Sequence, residues 1–100
     1  MIKMFIMHQK ADVEYYRKHH LPLVEKIPGI AHLTMNVGVP RPDGTLAPFQ
    51  IVTELQFNSE SDLKWMLSSQ ELQEALADVP NFNPDPTSVV RVVTQEELAW

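Results

Sequence analysis

A helix-spaced apolar stripe framed by two strand-like runs constrains this chain more than any other feature. Val13, Tyr16, His20, Leu23 with Val24, and Ile27 recur three and four residues apart, the spacing of a helix that lays one face on a core. Asp12 stands where an N-cap belongs, and Pro28 with Gly29 stops the pattern. Inside it, Pro22 lacks an amide proton and crowds the carbonyl of Lys18, which costs about 3 kcal/mol in an ordinary helix interior. A kink near His20 is therefore expected. The same spacing turns His20 toward the interior, an uncommon place for an imidazole.

The remaining elements follow from periodicity. Ile2 to His8, bulky and apolar at nearly every position, reads as a strand covered on both faces, and a polar cluster from Gln9 to Asp12 ends it. Residues 30–39 alternate instead, with Ala31, Leu33, Met35, Val37 and Val39 opposing His32, Thr34 and Asn36. After a turn-rich loop over residues 40–48, residues 49–57 divide the same way. Phe49, Ile51, Thr53, Leu55 and Phe57 oppose Gln50, Val52, Glu54 and Gln56. Ser59 with Asp62, and Ser68 with Glu71, carry the signature of a capping box and split the next helical region in two. The first piece presents Leu63, Met66 and Leu67; the second presents Leu72, Leu76 and Val79 before Pro80. Residues 78–86 read as irregular. Residues 88–94 form a last strand with Val90 and Val92 on one side and Val89, Arg91 and Val93 on the other.

Strand, helix, strand, strand, helix pair, strand is the split βαβ order of a ferredoxin-like α+β sandwich: one domain over residues 1–100, with a four-stranded antiparallel sheet and helices on one face. The other face is left bare. Val52, Val89 and Val93 are expected there among Gln50, Glu54, Gln56, His32, Asn36 and Arg91. A second copy pairing sheet to sheet would cover them, giving a homodimeric α+β barrel with an ion pair between Glu54 and Arg91.

Composition removes several classes of function. A formal net charge of −5 without a basic run argues against a nucleic-acid partner. No run approaches the roughly 20 apolar residues of a membrane span, and the opening MIKMFIMHQK is too short and too charged for a signal peptide. A cytoplasmic location with no membrane partner is expected. The chain has no cysteine, which excludes disulfides, thiolate metal sites and a cysteine nucleophile. No serine sits in a Gly-x-Ser-x-Gly elbow, and the three glycines form neither a dinucleotide fingerprint nor a phosphate loop, so a nicotinamide or flavin would have to bind by other means; no cofactor is expected. His8, His19, His20 and His32 show no ligand spacing, and no metal is expected either.

Three short patterns occur in order along the chain. Tyr16 is followed by His20, Leu21, Pro22 and Leu23, then by Pro28 and Gly29; a strand ends in Glu54, Leu55, Gln56 and Phe57; a segment runs Asp78, Val79, Pro80, Asn81, Phe82. With these, nearly the whole chain resembles the EthD family, named after a component of ethyl tert-butyl ether degradation and placed among the dimeric α+β barrels. The resemblance implies a dimeric barrel and an oxidoreductase-type or otherwise catabolic role toward a small molecule. Related barrels include cofactor-independent monooxygenases, polyketide cyclases and muconolactone isomerases, whose pocket lies between each sheet and its own helices. Fold analogy does not choose among these chemistries.

His20 is the candidate catalytic residue. Facing apolar neighbours such as Leu33, Met35 and Leu55, its imidazole should lose affinity for a proton and serve at pH 7 as a neutral base. Such a group takes a proton from a carbon beside a carbonyl, or from a phenol or hydroquinone, without a cofactor. The plainer reading is a histidine that bonds a nearby carbonyl and steadies the kink. Tyr16, one turn earlier on the same face, is placed to bind a substrate oxygen, although an aromatic on a core stripe more often packs. Asp78 either orients the His20 ring or accepts from backbone amides of its own loop, the commoner role for an aspartate there. Leu33 and Leu55 are expected at the pocket wall, Phe82 as an apolar lid at its mouth, and Trp65 nearer solvent. A homodimeric enzyme acting on an apolar, oxygen-bearing substrate, as a cofactor-independent oxidoreductase or isomerase, is the leading reading. The alternative is a non-catalytic dimer that binds a small apolar or aromatic ligand, or an accessory of a degradation pathway. A third is a plain scaffold with its pocket filled by side chains.

Overall fold

The computed structural model describes all residues from Met1 to Trp100. Strand β1 (Ile2–His8) leads through Asp12, whose carboxylate accepts the Tyr15 amide at 3.1 Å, into helix α1 (Val13–Tyr15). A π turn over Tyr16–His20 follows, then α2 (Leu21–Glu25) with Pro22 in its first turn. In the π turn the Leu21 amide bonds back five residues to the Tyr16 carbonyl. The distortion expected at Pro22 thus takes the form of one widened turn just before it. Tyr16 and His20, four residues apart on one face, have their rings 4.9 Å apart between centroids.

Strands β2 (His32–Val37) and β3 (Ile51–Phe57) come next, then α3 (Glu60–Leu67), α4 (Gln70–Asp78) and β4 (Val90–Gln95). The sheet order is β2-β3-β1-β4, with every pairing antiparallel. This is the ferredoxin-like arrangement, its helices all on one face. Ser59 caps α3 by accepting the Asp62 amide at 3.1 Å. The second cap is Ser69 rather than Ser68, because Ser68 is spent closing α3 onto the Lys64 carbonyl. Ser69 Oγ accepts the Leu72 amide at 3.1 Å and donates to the Met66 carbonyl at 2.7 Å, joining the two helices.

Cross-strand partners share a face of the sheet. Ile2 with Phe57, Met4 with Leu55 and His8 with Ile51 point toward the helices. Packed on them are Val24, Ile27, Met66 and Ala75 in one buried cluster, and Tyr16, Val79 and Phe82 in another.

The register corrects one expectation. Met4 opposes Val93 and Ile6 opposes Arg91, so Arg91 and Val93 belong to the helix-side face, while Val90 and Val92 join Phe5, Met7 and Val52 on the open one. Alternation within β4 was legible. Its phase against β1 depends on the irregular loop before it, which periodicity does not reach. Glu54 consequently has no ion pair with Arg91: it faces Lys3 Nζ at 3.6 Å, and Lys3 also meets Glu96 at 3.1 Å.

Candidate functional site

A cavity of about 160 Å³ lies between the sheet and its helices, and twelve of its sixteen lining residues are hydrophobic. Met4, Ile6, Thr53 and Leu55 form the sheet side; Val24, Ile27, Met66, Leu72, Ala75 and Val79 form the helix side. The four that are not hydrophobic are His8, His20, Thr53 and Arg91, and Tyr16 adds its hydroxyl. Nothing in this arrangement brings three or more His, Asp or Glu side chains together to hold a metal ion.

The π turn delivers His20 to this cavity, buried with 5 % exposure. Its Nδ1 lies 3.1 Å from Asp78 Oδ2 at the end of α4. Asp78 also receives the Tyr15 hydroxyl at 2.7 Å and the Asn81 amide at 2.9 Å. Burial pushes the carboxyl upward, but the bonds from Tyr15, Asn81 and His20 outweigh it and hold Asp78 below the usual carboxylate range. For His20, burial dominates: it lowers the pKa below 6.5 even though Asp78 pulls the other way. Near pH 7 the pair is therefore an ionised carboxylate holding a neutral imidazole, whose Nδ1 carries the proton and whose Nε2 keeps its lone pair.

The other sequence candidates divide. Tyr16 and Leu55 line the cavity, and the Tyr16 hydroxyl is engaged with Thr53 Oγ1. Burial raises the Tyr16 pKa, leaving the phenol neutral. Asp78 stands behind His20 and bonds its ring, with no backbone amide of its own loop among its partners. Leu33 is not at the cavity. It faces a shallow groove with Val24, Ile27 and Ile30, because β2 is an edge strand that lies to one side of the hollow. Phe82 is not a lid either: buried and outside the cavity lining, it packs behind the rings that do line it, 4.5 Å from His20, 5.0 Å from His8 and 5.1 Å from Tyr16 between centroids. Trp65 is 58 % exposed and takes no part.

Sequence reasoning passed over His8. Parity along β1 places it with Met4 and Ile6 on the helix side, and that was the available signal. It is 1 % exposed, and its Nδ1 lies 2.9 Å from the Asn83 side-chain amide. Burial, then the charges of His20 and Arg91, lower its pKa from 6.5 to about 4.

This has a consequence for stability. Below pH 6.5 the unfolded chain binds a proton at His8 that the folded chain refuses until about pH 4, so stability is full above 6.5 and is lost as the pH falls through that window. His20 acts in the same direction. At about 1.4 kcal/mol per unit, discounted for water reaching the cavity, His8 alone contributes about 2 kcal/mol. Urea unfolding at pH 4 and pH 7 checks this: the acid midpoint should be lower, and His8→Gln should shrink the difference.

No helix is long and apolar enough to cross a membrane. No curated protein matches the sequence. Among solved structures, an ethyl tert-butyl ether degradation (EthD) family protein from Bacillus halodurans is similar with a TM-score of 0.81 at 20% identity, covering 97% of this chain and 99% of that one. An EthD-like protein from Ralstonia eutropha gives 0.73 at 19% identity, over 94% and 89%. A dimeric ferredoxin-like protein from Jannaschia sp. gives 0.63 at 11% identity, over 95% and 98%. At these identities the likeness establishes the shared fold. The family model for the EthD domain matches residues 7–86, a span that holds the π turn, the cavity histidines and Asp78, and the chain belongs to the EthD family.

Proposed function

We propose that this protein is a homodimeric enzyme of small-molecule catabolism that needs no cofactor. It acts on an apolar, oxygen-bearing compound of about one ring, with His20 as the acid–base group. One observation carries the reading: a neutral imidazole, braced by an ionised carboxylate, opens into an apolar hollow. A dry cavity of about 150 Å³ in another protein takes up benzene, so a hollow of this size suits a single ring. The chemistry that fits is proton transfer, as in an isomerisation or the ionisation of a phenol before oxidation.

The open sheet face supports the homodimer. Phe5, Met7, Val52, Val90 and Val92 form an apolar centre there, with Lys3, Glu54 and His32 around it, and Val92 is 40 % exposed. A second copy of the same face would cover it, and a protein of similar fold is described as dimeric. The rival reading, a dimer that only carries a ligand, draws on the predominance of hydrophobic residues in the lining.

The test is to incubate the purified dimer, without added cofactor, with one-ring ketones, aldehydes and phenols. A new product, or exchange of substrate hydrogen, supports the enzyme. Ligand recovered unchanged, bound equally well across about pH 5 to 8, supports the carrier.

A further inference from the structure

Two imidazoles line one cavity, and their hydrogen bonds hold them in opposite tautomers. Asn83 Oδ1 accepts the Asp85 amide at 2.8 Å, which fixes the side-chain amide and leaves its Nδ2–H facing His8 Nδ1 at 2.9 Å. That ring nitrogen must accept, so the proton of neutral His8 sits on Nε2. His20 is the reverse, donating from Nδ1 to Asp78 and keeping a lone pair on Nε2. Neither Nε2 has a partner in the chain, while every fully buried side-chain nitrogen or oxygen has one, so both open onto the cavity. Both rings rest on Phe82. A hydrogen-bond donor and a base therefore share one wall.

We propose that His8 is a catalytic hydrogen-bond donor working with the base His20, and that the substrate is a small ketone or aldehyde with a C–H beside its carbonyl. This rests on the acid–base reading above and names its substrate class. In the step, Nε2 of His20 takes the proton: the C–H bond breaks and an N–H bond forms. The C–H electron pair becomes the C=C bond of an enolate, and the carbonyl π pair moves onto oxygen. That oxygen receives the Nε2–H of His8 as a hydrogen bond. Return of the proton from the His20 imidazolium to the same carbon gives exchange; return to a conjugated carbon gives an isomer. No oxidant or reductant is consumed. Burial keeps His8 neutral, its pKa lowered to about 4, so it remains a donor of this kind through the neutral range.

The test follows α-hydrogen exchange of phenylacetaldehyde in D2O by proton NMR, above the uncatalysed rate, and reads the ring nitrogens of the full-length protein by 15N NMR. His8 should be protonated on Nε2 and His20 on Nδ1. His8→Leu should slow exchange roughly 10²-fold with little change in KM, the loss typical of one oxyanion donor. His8→Gln, whose amide can donate from a similar place, should recover part of it. Asn83→Asp offers the ring an acceptor, moves its proton to Nδ1, and should cost as much as His8→Leu with His8 still present. A His8 proton on Nδ1 in the unaltered protein overturns the proposal. So does full exchange in both His8→Leu and Asn83→Asp while His20→Gln is inactive, and that result leaves the role of His20 standing. Exchange absent from the unaltered protein, or untouched by all of these substitutions, overturns both.

Discussion

His20→Gln lowers turnover of a small carbonyl substrate by roughly 10²- to 10⁴-fold, the range that a positioned general base supplies, and leaves the dimer assembled. The separation of effects is the point. His20 lies under the helices, on the face of the sheet opposite the one proposed to meet a second copy. Glutamine keeps polar atoms near Asp78 but has no basic nitrogen. Asp78→Asn should do less than His20→Gln. It leaves a base in place while removing the carboxylate that fixes the Nδ1 proton and pulls the His20 pKa upward. Steady-state rates, with sedimentation for the oligomer, check this; retained turnover in His20→Gln would discard the assignment.

Gly29→Ala is expected to destabilise the fold by about 3 to 4 kcal/mol, a large share of the roughly 5 to 15 kcal/mol that a domain commands. Gly29 has φ +88°, and a Cβ there would stand 2.3 Å from the Asp62 carbonyl oxygen, a backbone atom of α3. Neither partner can move alone, since the turn after α2 and the first turn of α3 are seated on each other at this point. Gly44 supplies the control. Its φ is +87°, yet nothing lies within 4 Å of a Cβ. Gly44→Ala should therefore cost only the backbone strain, about 1 to 2 kcal/mol. Urea unfolding of both variants separates close packing from conformation, and equal losses would contradict the account.

How much was legible in the sequence depended on how local its cause was. A kink before Pro22 is announced by that residue, four positions from the carbonyl it crowds, though its form as a π turn is not. The inward direction of His20 follows from spacing along one helical segment, and the ferredoxin-like sheet from the order of strands and helices along the chain. Leu33 was misjudged because parity gives a side chain its face but not its distance from the hollow. Arg91 and Val93 were put on the wrong face because the phase of β4 is set through its register with β1. Of the partners of the two cavity histidines, Asp78 was named as one of two alternatives and Asn83 was missed. Asp78 lies 58 residues from His20, and Asn83 lies 75 from His8. No periodicity connects such positions; only the closing of the sheet and the docking of the α4 end bring them together. Phe82, taken for a lid, packs behind both rings for the same reason.

The most direct test of the central claim, that the hollow beside neutral His20 receives the ligand, is an NMR titration of the dimer with acetophenone at pH 7. Saturable shifts should appear at the His20 and His8 ring nitrogens and at the side chains of Leu55, Met66 and Leu72, with Leu33 and Trp65 unaffected and His20 uncharged throughout. Shifts confined to another surface, or a His20 ring already protonated at pH 7, would contradict it.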